Sequence, residues 1–282
     1  MTAFTDSLDP IPEIVIEPKS GWAALDLIEV WRHRELACSL ARRDIQIRYQ
    51  QTVLGAAWAV LQPLLTMIVF TIFFGRLGRM ESQSPVAYPV FVYVSLLPWQ
   101  FFSFCVLHGS QSLVNSANLI SKVYFPRLLV PLATVGVGMI DFAVSSLLLV
   151  GLMVYYQIMP GRMIVLLPML CLGMLIVSAG VGTLLSALAV AYRDLRFAVP
   201  FLLQLWMFAS PVAYSMEIVP VRWRLLYCLN PLAGLISGFR SSLLGEPMYW
   251  DCLCVSLSTS LLAFLVGAFY FRAVERRFAD IV

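Results

Sequence analysis

The chain has 282 residues, 60% of them hydrophobic and 12% charged, with a formal net charge of +3 and a mean hydropathy of +0.85. Soluble domains carry about 25% charged residues, so a water-soluble fold would have to hide nearly every side chain, and the bilayer is the solvent this composition fits. The positive charge is small and dispersed, with no basic patch interleaved with aromatics, which excludes nucleic acid as a partner.

The opening "MTAFTDSLDPIPEIVIEPKS" is acidic and proline-bearing, the reverse of a positively charged leader. Residues 1–19 read as a flexible cytoplasmic tail, with the first membrane span serving as an uncleaved signal. Residues 20–50 read as interface and connecting helices. In "SGWAALDLIEVWRHREL" (20–36) Ser20 is suited to be an N-cap. Trp22, Leu25, Ile28 and Trp31 recur every three residues, while Asp26, Glu29, Arg32 and His33 face elsewhere. That pattern predicts an amphipathic helix lying in the membrane interface.

From 51 to 282 the chain reads as a single membrane domain. A spanning helix needs about 20 apolar residues, and such segments occur at 53–75, 86–107, 128–156, 163–191, 198–219 and 252–271. None alternates with period two, so the expectation is an all-α membrane protein with six transmembrane helices. The segment 222–250 is apolar enough to tempt a seventh span, but Asn230-Pro231 breaks it and neither half is long enough to cross. It is read as two short re-entrant helices on the outer face, between spans five and six, a placement tolerated where protein covers the backbone.

Orientation follows from lysine and arginine. With the N-terminus inside, the inner segments hold Lys19, Arg32, Arg34, Arg42, Arg43, Arg48, Lys122, Arg127, Arg193, Arg196, Arg272, Arg276 and Arg277. The outer ones hold Arg76, Arg79, Arg162, Arg222, Arg224 and Arg240. Thirteen against six makes both termini cytoplasmic.

Few residues offer chemistry. There is no GxxxxGK[ST] phosphate loop and no HExxH, and the two histidines, His33 and His108, stand far apart in sequence, so neither nucleotide binding nor a metal site is expected of this chain. Packing is the preferred reading of the six cysteines, with a pair between Cys228 and Cys252 or Cys254 on the outer side as the alternative. Asp141 is the one acid deep in a span. With no second titratable group visible at depth, its expected role is to accept hydrogen bonds from serine, threonine or backbone groups, ahead of a proton relay. Gln62-Pro63 interrupts the first span: Pro63 frees a carbonyl one turn earlier and Gln62 places an amide in the bilayer. Pro98-Trp99-Gln100, Pro131, Pro168, Pro200, Gln204 and Ser210-Pro211 interrupt others. With Trp58, Phe101, Phe102, Trp206, Phe208 and Tyr214 they suggest an interior surface of aromatics and amides, which suits sugars; an interfacial aromatic belt is the alternative.

The runs "RRDIQIRYQQTVLGAAWAVLQPLL", "LLPWQFFSF", "NSANLISKVYFPRLLVPLA", "AYRDLRF" and "LNPLAGLISGFR" occur in this order. Together they resemble the membrane permease of the polysaccharide-exporting ABC transporters, the branch that moves O-antigen, capsule and teichoic-acid chains, from about residue 20 to the end. The resemblance implies half of a homodimer in the bacterial cytoplasmic (inner) membrane, with two copies of a separate cytoplasmic ATPase subunit that binds the ATP and Mg. It implies no cofactor in this chain and a lipid-linked polysaccharide as substrate. ATPase contacts are implied at Arg42, Arg43, Asp44, Arg48 and Tyr49, at Asn118, Lys122, Tyr124 and Phe125, and at Tyr192, Arg193 and Asp194. A substrate pathway is expected along Trp58, Gln62, Trp99, Gln100, Phe101, Phe102, Gln204, Trp206 and Tyr214. An outer gate is expected at Asn230, Pro231, Gly234, Leu235 and Gly238, and Arg48 and Arg127 are candidates to receive a lipid diphosphate. An ABC permease for small amphipathic drugs or lipids is the alternative, and a membrane-embedded transferase lacks the converging acids and histidines it needs.

Overall fold

The computed structural model describes residues 32–49, 57–78, 86–120 and 125–275. The expected tail (1–19) and the expected amphipathic helix up to residue 31 lie outside them. Helix α1 (Arg34–Tyr49) is followed by α2 (Ala57–Phe70), which runs on as a π-helical turn over Thr71–Leu77. Then come α3 (Tyr88–Asn115), the short α4 (Ala117–Ile120) and α5 (Leu129–Tyr155). A 3-10 turn at Arg162–Leu166 leads into α6 (Leu167–Ala191), followed by α7 (Leu195–Phe208), α8 (Val221–Tyr227), α9 (Pro231–Leu244) and α10 (Trp250–Glu275). No strand forms among the described residues.

Five stretches are long and apolar enough to cross a membrane: Ala57–Leu77, Tyr88–Asn115, Leu129–Tyr155, Arg162–Ala191 and Trp250–Glu275. They coincide with the expected first, second, third, fourth and sixth spans. The expected fifth, 198–219, departs from the reading. Its helix stops at Phe208 after 14 residues, about 21 Å against a hydrocarbon thickness of about 30 Å. Pro211 supplies the reason, since a proline disfavours helical backbone at the residue before it, here Ser210.

The two short helices expected within 222–250 are present as α8 and α9. Asn230 is the N-cap of α9, its side chain accepting from the Leu232 amide at 3.1 Å, and Pro231 takes the first turn. The helix is buried on all sides from Leu232 to Leu243, packed on α10, α3 and α6.

Helix α3 is the axis of the molecule, buried along most of its length and in contact with α2, α5, α6, α7 and α9. Its end and the ends of α6 and α10 meet α1 in one apolar cluster that includes Leu40, Leu113, Phe125, Leu128, Val190 and Phe271. At the other end Met216, Cys228, Ala233 and Cys252 form a separate cluster. There the packing reading of the cysteines fails for one pair. The fold-back of α8 and α9 brings Cys228 onto the first turn of α10, where it forms a disulfide with Cys252 across 24 residues. Closing a loop of that size stabilises by about 3 kcal/mol. Cys38, Cys105, Cys171 and Cys254 remain thiols.

Pro63 is accommodated inside α2. Its ring has no N–H, so the Ala59 carbonyl loses its helical donor. The Ser145 hydroxyl on α5 donates to that carbonyl at 3.0 Å, and the Tyr93 hydroxyl on α3 donates to the Ser145 carbonyl at 3.0 Å. The proline thereby becomes the point at which three spans are tied, as the absence of water requires. Ser145→Ala should orphan the Ala59 carbonyl and cost about 1–3 kcal/mol, measured as a lower unfolding temperature in detergent. In a Pro63→Ala background, where the helical N–H returns, the same substitution should cost much less.

Candidate functional site

A cavity of about 290 Å³ is lined by α2, α3 and α5 beside Pro63. Helix α2 contributes Ala59, Gln62, Pro63 and Thr66, and α3 contributes its face from Leu96 to His108. Helix α5 contributes Gly138, Asp141, Phe142 and Ser145, α1 reaches in with Arg48, and α7 with Met207. His108 lies twenty residues along α3 from Tyr88, about 30 Å at 1.5 Å per residue, so one hydrocarbon thickness separates it from the far end of that helix.

Arg48 is turned into this cavity rather than out to water. Its Nη1 lies 3.0 Å from Oδ2 of Asp141, and its guanidinium stacks 4.3 Å over the Phe104 ring. Phe104 in turn packs on His108, with ring centroids 4.3 Å apart. Asp141 therefore has a cationic partner, where hydrogen bonds from hydroxyls or backbone were expected. The sequence hides this pairing because 93 positions separate the two residues and Arg48 reads as one more inner-side charge. Each ion alone would be expensive in this setting, and the pair together with the ring face offsets that cost.

Of the expected pathway residues, Gln62, Trp99, Gln100 and Phe101 line the cavity. Phe102 is buried behind it, edge-on to Trp206 with centroids 5.1 Å apart and 5.8 Å from the Trp99 ring. Trp58 and Gln204 are exposed on α2 and α7 and stand apart from it. Tyr214 lies beyond the end of α7, its hydroxyl 2.8 Å from that of Tyr227.

The expected ATPase contacts gather at one end of the molecule. Arg42 and Arg43 are exposed on α1, with Arg43 paired to Asp44 at 2.8 Å. Tyr192, Arg193 and Asp194 are exposed in the turn between α6 and α7. Phe125 is buried in the cluster around α1, so it packs beneath the surface and is not exposed for docking. Asn118 lies on the short α4; its side chain and that of Tyr49, like Lys122 and Tyr124 altogether, fall outside the described residues. Arg127, the other diphosphate candidate, donates from Nη1 to the Glu275 carbonyl at 2.7 Å.

The residues expected to gate form the first two turns of α9. Trp206 Nε1 donates to Asn230 Oδ1 at 3.0 Å, and Asn230 Nδ2 donates to the Ala209 carbonyl at 3.2 Å and the Ser210 hydroxyl oxygen at 3.0 Å. One amide thus caps α9 and ties it to the end of α7. Leu235 is fully buried. A methyl group on Gly234 would sit 2.6 Å from the Cys252 carbonyl oxygen, and one on Gly238 would meet the Leu170 side chain at 2.7 Å. The two glycines therefore let α9 lie close against α10 and α6.

Further along α9, Arg240 is wholly buried. It donates to the Tyr214 carbonyl at 2.9 Å, lies 3.6 Å from Glu246 and stacks 4.6 Å over Phe91. Burial pushes the Glu246 carboxyl above its ordinary range, against the pull of Arg240.

Residues 35–244 match the family model described as ABC-2 type transporter. The chain belongs to the ABC-2 type transporter family. Among curated proteins, this ABC-2 chain is 26% identical over 249 residues to the O-antigen export system permease protein RfbA of Klebsiella pneumoniae, covering 88% of this chain and 95% of that protein. It is 32% identical over 215 residues to the protein of the same name from Myxococcus xanthus, covering 76% and 82%. It is 24% identical over 216 residues to the polysialic acid transport protein KpsM of Escherichia coli, covering 73% and 80%. The ABC-2 chain is a multi-pass protein of the bacterial inner membrane, as its apolar helices and these relatives indicate.

In this ABC-2 fold the link between α7 and α9 rests on Asn230. Asn230→Ala should remove the cap and three further hydrogen bonds, costing about 1–3 kcal/mol. Asn230→Asp keeps the acceptor and loses the two amide donations, so its unfolding temperature should fall between those of the parent and the alanine variant.

Proposed function

We propose that this ABC-2 chain is the transmembrane half of a transporter that exports lipid-linked polysaccharide of the O-antigen or capsule kind across the inner membrane. ATP hydrolysis on a separate subunit, which holds the ATP and Mg, drives the movement. The observation that carries this reading is the convergence of Trp99, Phe101, Gln62 and Gln100 on one cavity. Aromatic rings receive the C–H faces of sugars, and side-chain amides receive their hydroxyls. The names of the relatives, O-antigen export and polysialic acid transport, support the same class of cargo.

The working unit in this reading contains two copies of the chain. A single copy leaves long apolar faces uncovered on α2, at Ile68, Val69, Ile72 and Phe73, and on α7, at Phe197, Phe201, Leu205 and Phe208. Trp58 and Gln204 lie on the same two helices, so pairing these faces would complete the sugar path between copies. Helix α7 serves as the fifth of six crossings, with residues 209–215 and the buried α9 taking up the thickness it does not span. Helices α8 and α9 then form the re-entrant outer segment, and the α9 residues from Asn230 to Gly238 form the outer gate. The Cys228–Cys252 disulfide supports this orientation, because such bonds persist on the oxidising side of the membrane. Both termini are then cytoplasmic, and Arg42, Arg43 and the Tyr192–Asp194 turn face the ATPase.

The test is co-purification with the ATPase subunit. The expected complex contains two copies of each chain, and Arg42→Glu together with Arg43→Glu should weaken its association at least about tenfold by opposing charge at the docking face. Association unaffected by both reversals would remove α1 from the interface.

A further inference from the structure

Helix α1 has two faces. One presents Arg42 and Arg43 to solvent, while Leu36, Ala37, Leu40 and Ala41 pack in the cluster formed with the ends of α3, α5, α6 and α10. Against α5 the helix has two defined points of contact. A Cβ at Gly136 would lie 3.7 Å from that of Ala41, and one to two turns further on Arg48 meets Asp141 at 3.0 Å. An apolar seam is non-directional and resists sliding weakly. The ion pair instead weakens as its two charged atoms are drawn apart from 3.0 Å, and it is partly buried, with side-chain exposures of 32% and 16%, so salt screens it less than a surface pair.

We infer that the Arg48–Asp141 pair is a strut that fixes the axial register of α1 on α5 and carries movement of the docking helix into the cavity wall. The strut ends at the cavity wall: Asp141 and Phe104, both in contact with Arg48, belong to α5 and α3, and both line the cavity. Arg43 and Arg42 stand five and six residues from Arg48, about 7.5 to 9 Å along the helix, so force applied at the docking face reaches the cavity through less than two turns of backbone. Arg48 and Asp141 are positioning residues in this account. The inference rests on the transporter reading above for the source of the movement, while the register itself is a property of this chain.

The experiment uses Ala41→Cys with Gly136→Cys in the full-length chain, since their spacing matches the Cβ separation of a disulfide, about 3.8 Å. Oxidation in membranes, read as protection of both thiols from maleimide, reports the register without any transport. With Asp141→Asn or Arg48→Gln added, the crosslinking rate should fall about tenfold, within the range of ordinary coupling free energies. The charge exchange Arg48→Asp with Asp141→Arg should restore it. In the reconstituted complex with the ATPase, each single neutral variant should lose about tenfold in glycan exported per ATP while hydrolysis stays within about twofold. Oxidising the cysteine pair in the Asp141→Asn variant should return the export, because the covalent link replaces the strut; the chain without engineered cysteines, treated identically, is the control. An unchanged crosslinking rate in both neutral variants overturns the strut whatever the cargo, as does a charge exchange no better than the single variants. A parent complex that crosslinks as expected but moves no glycan with ATP overturns the transporter reading and leaves the register intact.

Discussion

Lipid offers no hydrogen bonds, so a polar group placed at membrane depth is costly unless another part of the protein answers it. The constraint explains most of what is unusual in the structure. The carbonyl freed by Pro63 is met by Ser145 from a different helix, and the serine carbonyl by Tyr93 from a third. Asp141 is met by Arg48, which arrives from α1 outside the row of spans. Arg240, with no exposed surface, donates from Nη1 to the Tyr214 carbonyl and is offset by the Glu246 carboxylate 3.6 Å away and the Phe91 ring face. Each answer joins segments distant in sequence, so the polar groups that cost most to bury are also the ones that fix the arrangement of helices.

How far the sequence reveals this depends on the range of the interaction. Four apolar runs with well-marked ends, and a fifth at the C-terminus, are legible because span length is a local property set by bilayer thickness. Asn230-Pro231 is legible as a helix start for the same reason, since cap and first-turn preferences act over three or four residues. The end of α7 is harder. The apolar run continues to Val219, and only the backbone restriction imposed by Pro211 stops the helix at Phe208. The Cys228–Cys252 bond and the Arg48–Asp141 pair depend on tertiary fold-back, and no local pattern announces either. Arg48 was hidden most effectively, because its neighbours Arg42 and Arg43 give the whole segment the look of a water-facing basic run.

The site was partly legible. Gln62, Trp99, Gln100 and Phe101 meet in one cavity, as an aromatic and amide surface should, whereas Trp58 and Gln204 lie on exposed faces that a single copy leaves open. The two ends of the molecule also separate as the charge distribution suggests. One gathers the exposed arginines of α1 and the α6–α7 turn over an apolar cluster, and the other carries the disulfide and the buried α9. That polarity is what the proposed function uses, with docking charges at one end and the gate at the other.

The central claim is that this chain forms a sugar passage whose movement is powered from a second protein. Its most direct test is transfer of a fluorescent lipid-linked glycan across the bilayer of sealed proteoliposomes. Transfer should require this chain, the ATPase subunit and hydrolysable ATP together, and should stop when any one is withheld. Transfer by this chain alone, or nucleotide hydrolysis by it in isolation, would contradict the account.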